Sequence, residues 1–154
     1  MLEENIKYKS TQLAKWILAI GVISFPLLLL SYFYKWGNHP CSLSTLGLIF
    51  LVLVIILLLF YKLTIIIDGE KISAIFGIGL IKKSIDLDKI DLNSIEEIKI
   101  PWYYGMGIRV TPHGILYNVK PGKAIKLKSK IENKTFLVGT DNFEEIKRIL
   151  SQQN

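Results

Sequence analysis

The sequence is poor in the residues that hold metals and disulfides together. Cys41 is the single cysteine, so the chain has neither an internal disulfide nor a cysteine cluster for zinc. Its two histidines are His39 and His113, and His113 lies in an otherwise polar turn. So few ligands argue against a metal site. We expect no metal, no cofactor and no redox chemistry.

No arrangement of side chains typical of catalysis is present either. Several acids cluster in the second half of the chain: Asp86, Asp88, Asp91, Glu96 and Glu97. Nothing in their spacing places two of them across a substrate, and a solvated charged face accounts for them. The chain has no nucleophile-elbow motif, and a turn histidine such as His113 is more often exposed than catalytic. We therefore predict that the protein is not an enzyme.

Long uncharged runs are what the sequence does have. Residues 16–34 and 43–61 are each 19 residues long and contain no charge. A helix of that length spans about 28 Å, close to the roughly 30 Å hydrocarbon core of a bilayer. The first run is too long for a signal-peptide core and lacks a small-x-small cleavage site. We predict two transmembrane helices, the first kinked at Pro26.

The lysines around these runs predict an orientation. The connector, residues 35–42, is short enough to require an antiparallel helical hairpin. Lysines flank the hairpin unevenly: Lys7, Lys9 and Lys15 precede it, Lys62 and Lys71 follow it, and Lys35 lies in the connector. The positive-inside rule then places both termini in the cytoplasm and Cys41 outside, which predicts a multi-pass protein of the cell (inner) membrane.

The net charge of +6 and the pI of about 9.3 raise the possibility of a nucleic-acid partner. In a membrane protein, however, excess lysine more commonly marks cytoplasmic flanks and attraction to anionic lipid. We therefore expect the lipid bilayer as a partner, with the chain itself or another membrane protein as a second, and no nucleic acid.

From residue 62 onward the pattern changes to short strands. Turn signals recur at Asp68-Gly69, His113-Gly114, Pro121-Gly122 and Glu132-Asn133, and the spacing indicates an antiparallel barrel or sandwich. Residues 91–100 fit helix and strand about equally well. At the end, Asp141 and Glu144 resemble a capping box. Apolar residues then recur on one helical face: Phe143, Ile146, Ile149 and Leu150.

About seven strands followed by a terminal helix resemble a pleckstrin-homology-like (PH-like) roll. The stretches TIIIDGEKISAIFGIGLIKKSIDLDKI, PWYYGMGIRVTPHGILYN and FLVGTDNFEEIKRIL resemble the PH-like domains of small bacterial membrane proteins, over residues 62–152. The resemblance implies an antiparallel PH-like β-roll closed by a C-terminal helix, an α+β domain over residues 64–154. Residues 1–63 would form an N-terminal tail and the transmembrane hairpin. The resemblance implies little about activity.

One stretch, PWYYGMGIR, is a candidate interaction loop. Its candidate residues are Trp102, Tyr103, Tyr104, Gly105, Gly107 and Arg109. One interpretation is an aromatic loop that contacts headgroups or a partner subunit. The other, which we favour slightly, is that the rings cover the end of the barrel while the glycines permit a tight bend. Arg109 could either bind a partner or pair with a neighbouring acid.

Lys62, Lys82 and Lys83 are candidate contacts for lipid headgroups. PH-like domains in other settings bind phosphoinositides, but no clear basic phosphate-cradling loop is present here. Lys82 and Lys83 come nearest, and a solvated hairpin is the commoner explanation of such a pair. The preferred function is a non-catalytic binding or assembly module at the cytoplasmic face of the membrane. The alternatives are a sensor of anionic headgroups and an accessory or self-protection membrane factor.

Overall fold

The computed structural model describes residues 6–37, 41–131 and 135–152. Residue His39 and the predicted turn at Glu132-Asn133 lie outside these ranges. The described elements are β1 Tyr8–Leu13, α1 Lys15–Phe33, α2 Leu43–Phe60, β2 Lys62–Ile67, β3 Lys71–Phe76, β4 Ile81–Asp86, β5 Ile90–Ile100, β6 Gly107–Thr111, β7 Gly114–Asn118, β8 Gly122–Ser129, β9 Thr135–Gly139 and α3 Phe143–Ser151. Short 3-10 turns lie at Leu87–Lys89 and Trp102–Tyr104.

The first two helices are long and apolar enough to cross a membrane by length and composition. They start and end within one residue of the predicted ranges, and α1 continues through Pro26. The helices pack closely because Gly21 has no side chain: a Cβ there would lie 2.9 Å from a methyl carbon of Leu57. The rings of Phe25 and Phe50 also meet, with centroids 4.7 Å apart. Apart from this contact the helix surfaces are largely exposed.

The segment before α1 is a β-strand, which the sequence analysis missed. β1 pairs antiparallel with β2, from Tyr8 opposite Ile67 to Leu13 opposite Lys62. The Ala14 N–H then donates to the Tyr61 carbonyl oxygen at 2.8 Å. Residues 8–13 are therefore part of the β domain and not a tail. The two helices are an insertion in the connection of a β-hairpin.

Two sheets make up the β domain, with strand orders β1-β2-β3-β4 and β5-β8-β9-β7-β6. We call them sheet 1 and sheet 2. The α+β class is confirmed, but the predicted closed antiparallel roll is wrong in two respects. The sheets do not close into one barrel, and β7 pairs with β9 in parallel. The ambiguous stretch at residues 91–100 is strand, most of it paired with β8.

The main core lies between the two sheets and under α3. Phe143, Ile146 and Leu150 of α3 are buried, as the predicted amphipathic face requires. The predicted capping box is wrong, because the N-cap is Asn142 and no side chain caps the helix. A smaller cluster covers the outer face of sheet 2, formed by Ile100, Leu116, Ala124 and Leu137 with Ile98 and Tyr104 against it.

Candidate functional site

The end of α2 is bonded directly into the β domain. Tyr61 alone separates α2 from β2. The turn between β3 and β4 closes on the same junction: the Gly77 N–H donates to the Lys62 oxygen at 2.9 Å and the Ile78 N–H to the Leu58 oxygen at 3.2 Å. Gly77 has a φ of +50°, and a Cβ there would lie 2.0 Å from the Leu58 oxygen. Only glycine fits such an approach of two backbones.

Sheet 2 also presents one end to α2. Gly107, the first residue of β6, lies beside Phe60, where a Cβ would be 3.9 Å from a ring carbon. Gln12 of β1 donates through Nε2 to the Gly139 oxygen at 3.0 Å, at the end of β9. Ile100 and the start of β8 are at this end too, because Ile100 pairs with Gly122. The candidate loop, which joins β5 to β6, is therefore placed near the helix ends.

The aromatic residues of that loop have different surroundings. Trp102 is 80 % exposed and Tyr103 is 67 % exposed. The neighbouring rings meet edge to face, with centroids 5.2 Å apart for Tyr103 and Tyr104. Tyr104 is half-buried and packs against the outer cluster of sheet 2. Tyr104 therefore fits the interpretation in which the ring covers the β domain, whereas Trp102 and Tyr103 present exposed aromatic surface.

The glycines and the arginine of the loop are close together. Gly105 and Gly107 have positive φ angles of 73° and 99°, which explains why glycine occupies both positions. Arg109 is exposed, and its Nε lies 3.5 Å from the position of a Cβ on Gly105. It pairs with Leu116, a residue of the outer cluster, so it belongs to the outer face of sheet 2. Within the described residues, Arg109 makes no ion pair with a carboxylate.

The lysines predicted to meet headgroups do not form one cluster. Lys62 lies at the end of α2, with its ammonium 5.2 Å from the centroid of the Tyr61 ring. Lys82 and Lys83 are adjacent on β4 and both exposed, but strand geometry places them on opposite faces. Lys83 is opposite Ala74, a core residue, so it belongs to the inner face. Lys82 belongs to the outer face.

The structure adds two apolar residues that the sequence analysis did not single out. Ile78 and Leu80 follow Gly77 in the β3–β4 turn and are 56 % and 75 % exposed. In the sequence, the pattern Gly-Ile-Gly-Leu could have indicated these two residues, because large apolar side chains alternate there with turn glycines. We call Ile78, Leu80, Trp102, Tyr103 and Lys62 the helix-proximal surface.

Three of the five acids predicted to form a charged face, Asp86, Glu96 and Glu97, form ion pairs with lysines. The Lys126 ammonium bonds to Glu96 at 2.7 Å and lowers the pKa of that carboxyl group. Glu97 bonds to Lys123 at 2.8 Å and raises the pKa of the ammonium. Across the described ranges, no group of three or more His, Cys, Asp or Glu side chains is placed to hold a metal ion.

Comparison of the chain with protein-family models, with curated proteins and with solved structures finds no match.

Proposed function

We propose that the protein is a membrane-anchored, non-catalytic module. α1 and α2 span the cell membrane, both termini are cytoplasmic, and the β domain rests on the cytoplasmic headgroup layer. The domain acts by binding or assembly, with another membrane protein or a second copy of the chain as its partner.

The observation that supports this proposal best is the rigid junction between the helices and the sheets. β1 leads into α1 through Ala14 alone, and α2 leads into β2 through Tyr61 alone. A flexible linker would leave the domain free to turn. Here the backbone bonds at Ala14 and Gly77 hold the β domain against the helix ends, which supports the proposal that one particular surface faces the bilayer. That surface contains exposed aromatic and aliphatic side chains beside a lysine, the combination that suits a membrane interface.

We also propose that the β domain is a variant of the PH-like fold. Two packed sheets and a C-terminal helix support this assignment. The domain departs from the expected pattern in the parallel pairing of β7 with β9 and in a first strand that precedes the helical hairpin.

The orientation can be tested at Cys41, the single cysteine of the chain. Because the lysine distribution places the helix connector outside, a membrane-impermeant maleimide should label Cys41 in intact cells. The Cys41→Ser variant is the control for nonspecific labelling. Labelling that occurs only after the cells are lysed would contradict the proposed orientation.

The aromatic pair can be tested against its half-buried neighbour. Changing Trp102 and Tyr103 together to Ser should leave the melting temperature of the full chain nearly unchanged, because both side chains are mostly exposed. Crosslinking to partners in intact membranes should fall strongly, because exposed aromatic clusters mark contact surfaces.

Tyr104→Ser is the matched control. It should lower the melting temperature, since Tyr104 packs on the outer cluster of sheet 2, and leave the crosslinking of the remaining folded protein unchanged. Unchanged crosslinking in the Trp102 and Tyr103 variant would exclude this surface as the site of assembly.

A second candidate function, recognition of anionic headgroups, is favoured by the position of Lys62. This lysine is two residues beyond Phe60, the last residue of the apolar helix α2, and therefore lies at the depth of the headgroups if α2 spans the bilayer. A lysine near an anionic surface contributes about 1 kcal/mol of attraction.

A further inference from the structure

The two sheets leave an open seam between their edge strands β4 and β6. Across it, the inner face of β4 presents Ile81 and Ile85, which are half-buried. The inner face of β6 and β7 presents Ile108, Val110 and Ile115. Val110 is 89 % exposed, which is unusual for an aliphatic side chain on the inner face of a sheet. The seam is therefore an apolar cleft that the described part of the chain leaves uncovered.

A cavity of about 510 Å³ lies in the part of the seam away from α2. That volume is within the range of small-molecule sites, roughly 300 to 1,000 Å³. Residues of both sheets line it, among them Lys83, Ile85, Ile115, Tyr117, Thr135 and Phe136. Its floor is aromatic, because the rings of Tyr117 and Phe136 meet at a tilt with centroids 5.2 Å apart. Burial raises the pKa of the Tyr117 hydroxyl. The cleft thus combines apolar walls with polar groups.

The charged side chains at the cavity favour a bound anion at one position, beside Lys83. Lys83 is exposed and faces the cavity from the inner side of β4. The other charged residues there, Lys89 and Asp86, are bonded to each other at 2.6 Å. Lys83 thus places a positive charge beside the apolar side chains of the cavity, where it would attract a negatively charged group.

The position of Lys83 along the strands limits how far a lipid headgroup would have to rise to reach it. Lys83 shares a row of sheet 1 with Ala74 and Ile65, and Ile65 is five residues beyond Phe60, where α2 ends. At about 3.3 Å per residue, Lys83 lies at most about 17 Å above the end of α2. The headgroup layer is roughly 5 to 7 Å thick on each side of the hydrocarbon core. A headgroup at Lys83 would therefore need to rise by up to roughly 10 Å from the bilayer surface.

We propose that the seam binds an anionic phospholipid of the same bilayer, with its phosphate at Lys83. One acyl chain runs back toward α2 over Ile81 and Ile108, the seam residues nearest the helix ends. The inference rests on the proposed membrane anchorage. A peptide strand added to β4 fits less well, because an inward-pointing lysine on an edge strand is a usual block to strand pairing.

Native mass spectrometry of the detergent-solubilised full chain, titrated with phosphatidylglycerol or phosphatidylcholine, tests the charge requirement. Lys83→Gln should weaken phosphatidylglycerol binding by about fivefold, the value of one near-surface lysine. Lys82→Gln, on the adjacent residue of the opposite face, should leave binding unchanged. Equal losses in the two variants, or wild-type binding by Lys83→Gln together with new self-association, would overturn the proposal. The latter result would indicate that Lys83 instead prevents another strand from pairing with the edge strand β4.

The position of the lipid is tested with a photoreactive acyl chain. The full chain is reconstituted with phosphatidylglycerol that contains a diazirine, irradiated and digested for peptide mapping. Adducts in β4 or β6 as well as in the helices are expected, and Val110→Asp should remove those in the strands. Adducts confined to α1 and α2 would overturn the seam site while leaving the anchor intact. Absence of adducts from both helices would contradict the membrane anchor itself.

Discussion

Replacing residues 15–60 with an Asn-Gly turn is expected to yield a soluble, folded, β-rich protein. The helices are inserted where β1 and β2 adjoin, since Leu13 pairs with Lys62 and the Ala14 N–H bonds to the Tyr61 oxygen at 2.8 Å. A two-residue type I′ turn can close that hairpin directly. Residues 6–14, the turn and residues 61–152 should show a β-type circular dichroism spectrum and one cooperative thermal transition.

Residues 64–154 alone are the control, and we expect them to be poorly folded or aggregated. This fragment lacks β1 and the first two residues of β2, so β2 becomes an exposed apolar edge. Tyr8 and Ala14, both buried in the main core, are lost as well. Equal melting temperatures for the two proteins would show that β1 adds little to the stability of the domain.

Gly77→Ala should be among the most damaging single substitutions outside the core. A Cβ at this position would lie 2.0 Å from the Leu58 oxygen and 2.5 Å from the Leu59 oxygen. Neither backbone atom can move without breaking the junction of α2 with the β3–β4 turn. Positive-φ strain adds to this overlap, and together they should cost about 3 to 5 kcal/mol of unfolding free energy. Thermal melting of the full chain in detergent should show a loss of roughly 10 °C or more.

Gly79→Ala, two residues further in the same turn, separates steric overlap from backbone strain. Gly79 also has a positive φ, of 99°, but a Cβ there would meet only a methyl carbon of Ile75 at 3.8 Å. This variant should cost about 1 to 3 kcal/mol, from strain alone. If the two variants melt at the same temperature, the β3–β4 turn does not pack against α2 as described.

The local sequence pattern determined those elements whose structure depends only on residues close to them along the chain. Two uncharged runs give helices because each satisfies its own backbone hydrogen bonds, and their ends follow from where polar residues begin. The hairpin at Asp68 was predictable for the same reason: its side chain accepts bonds from the Glu70 and Lys71 N–H groups at 2.9 and 2.8 Å. Burial raises the pKa of this carboxyl group, but those bonds and nearby lysines outweigh it and lower the pKa. The buried face of α3 was likewise fixed by periodicity.

Tertiary structure decided whatever depends on distant residues. β1 is a strand only because β2 pairs with it across at least 48 intervening residues, and its own short polar sequence does not indicate this. Whether Lys83 faces the seam depends on the register of β4 against β3, where a shift of one residue would exchange its face with that of Lys82. Tyr104 is covered and Trp102 exposed because the outer cluster of sheet 2 extends under only one of them. Hydrophobic periodicity is a property of neighbours along the chain, whereas strand pairing and register are chosen by the packing energy of the whole core.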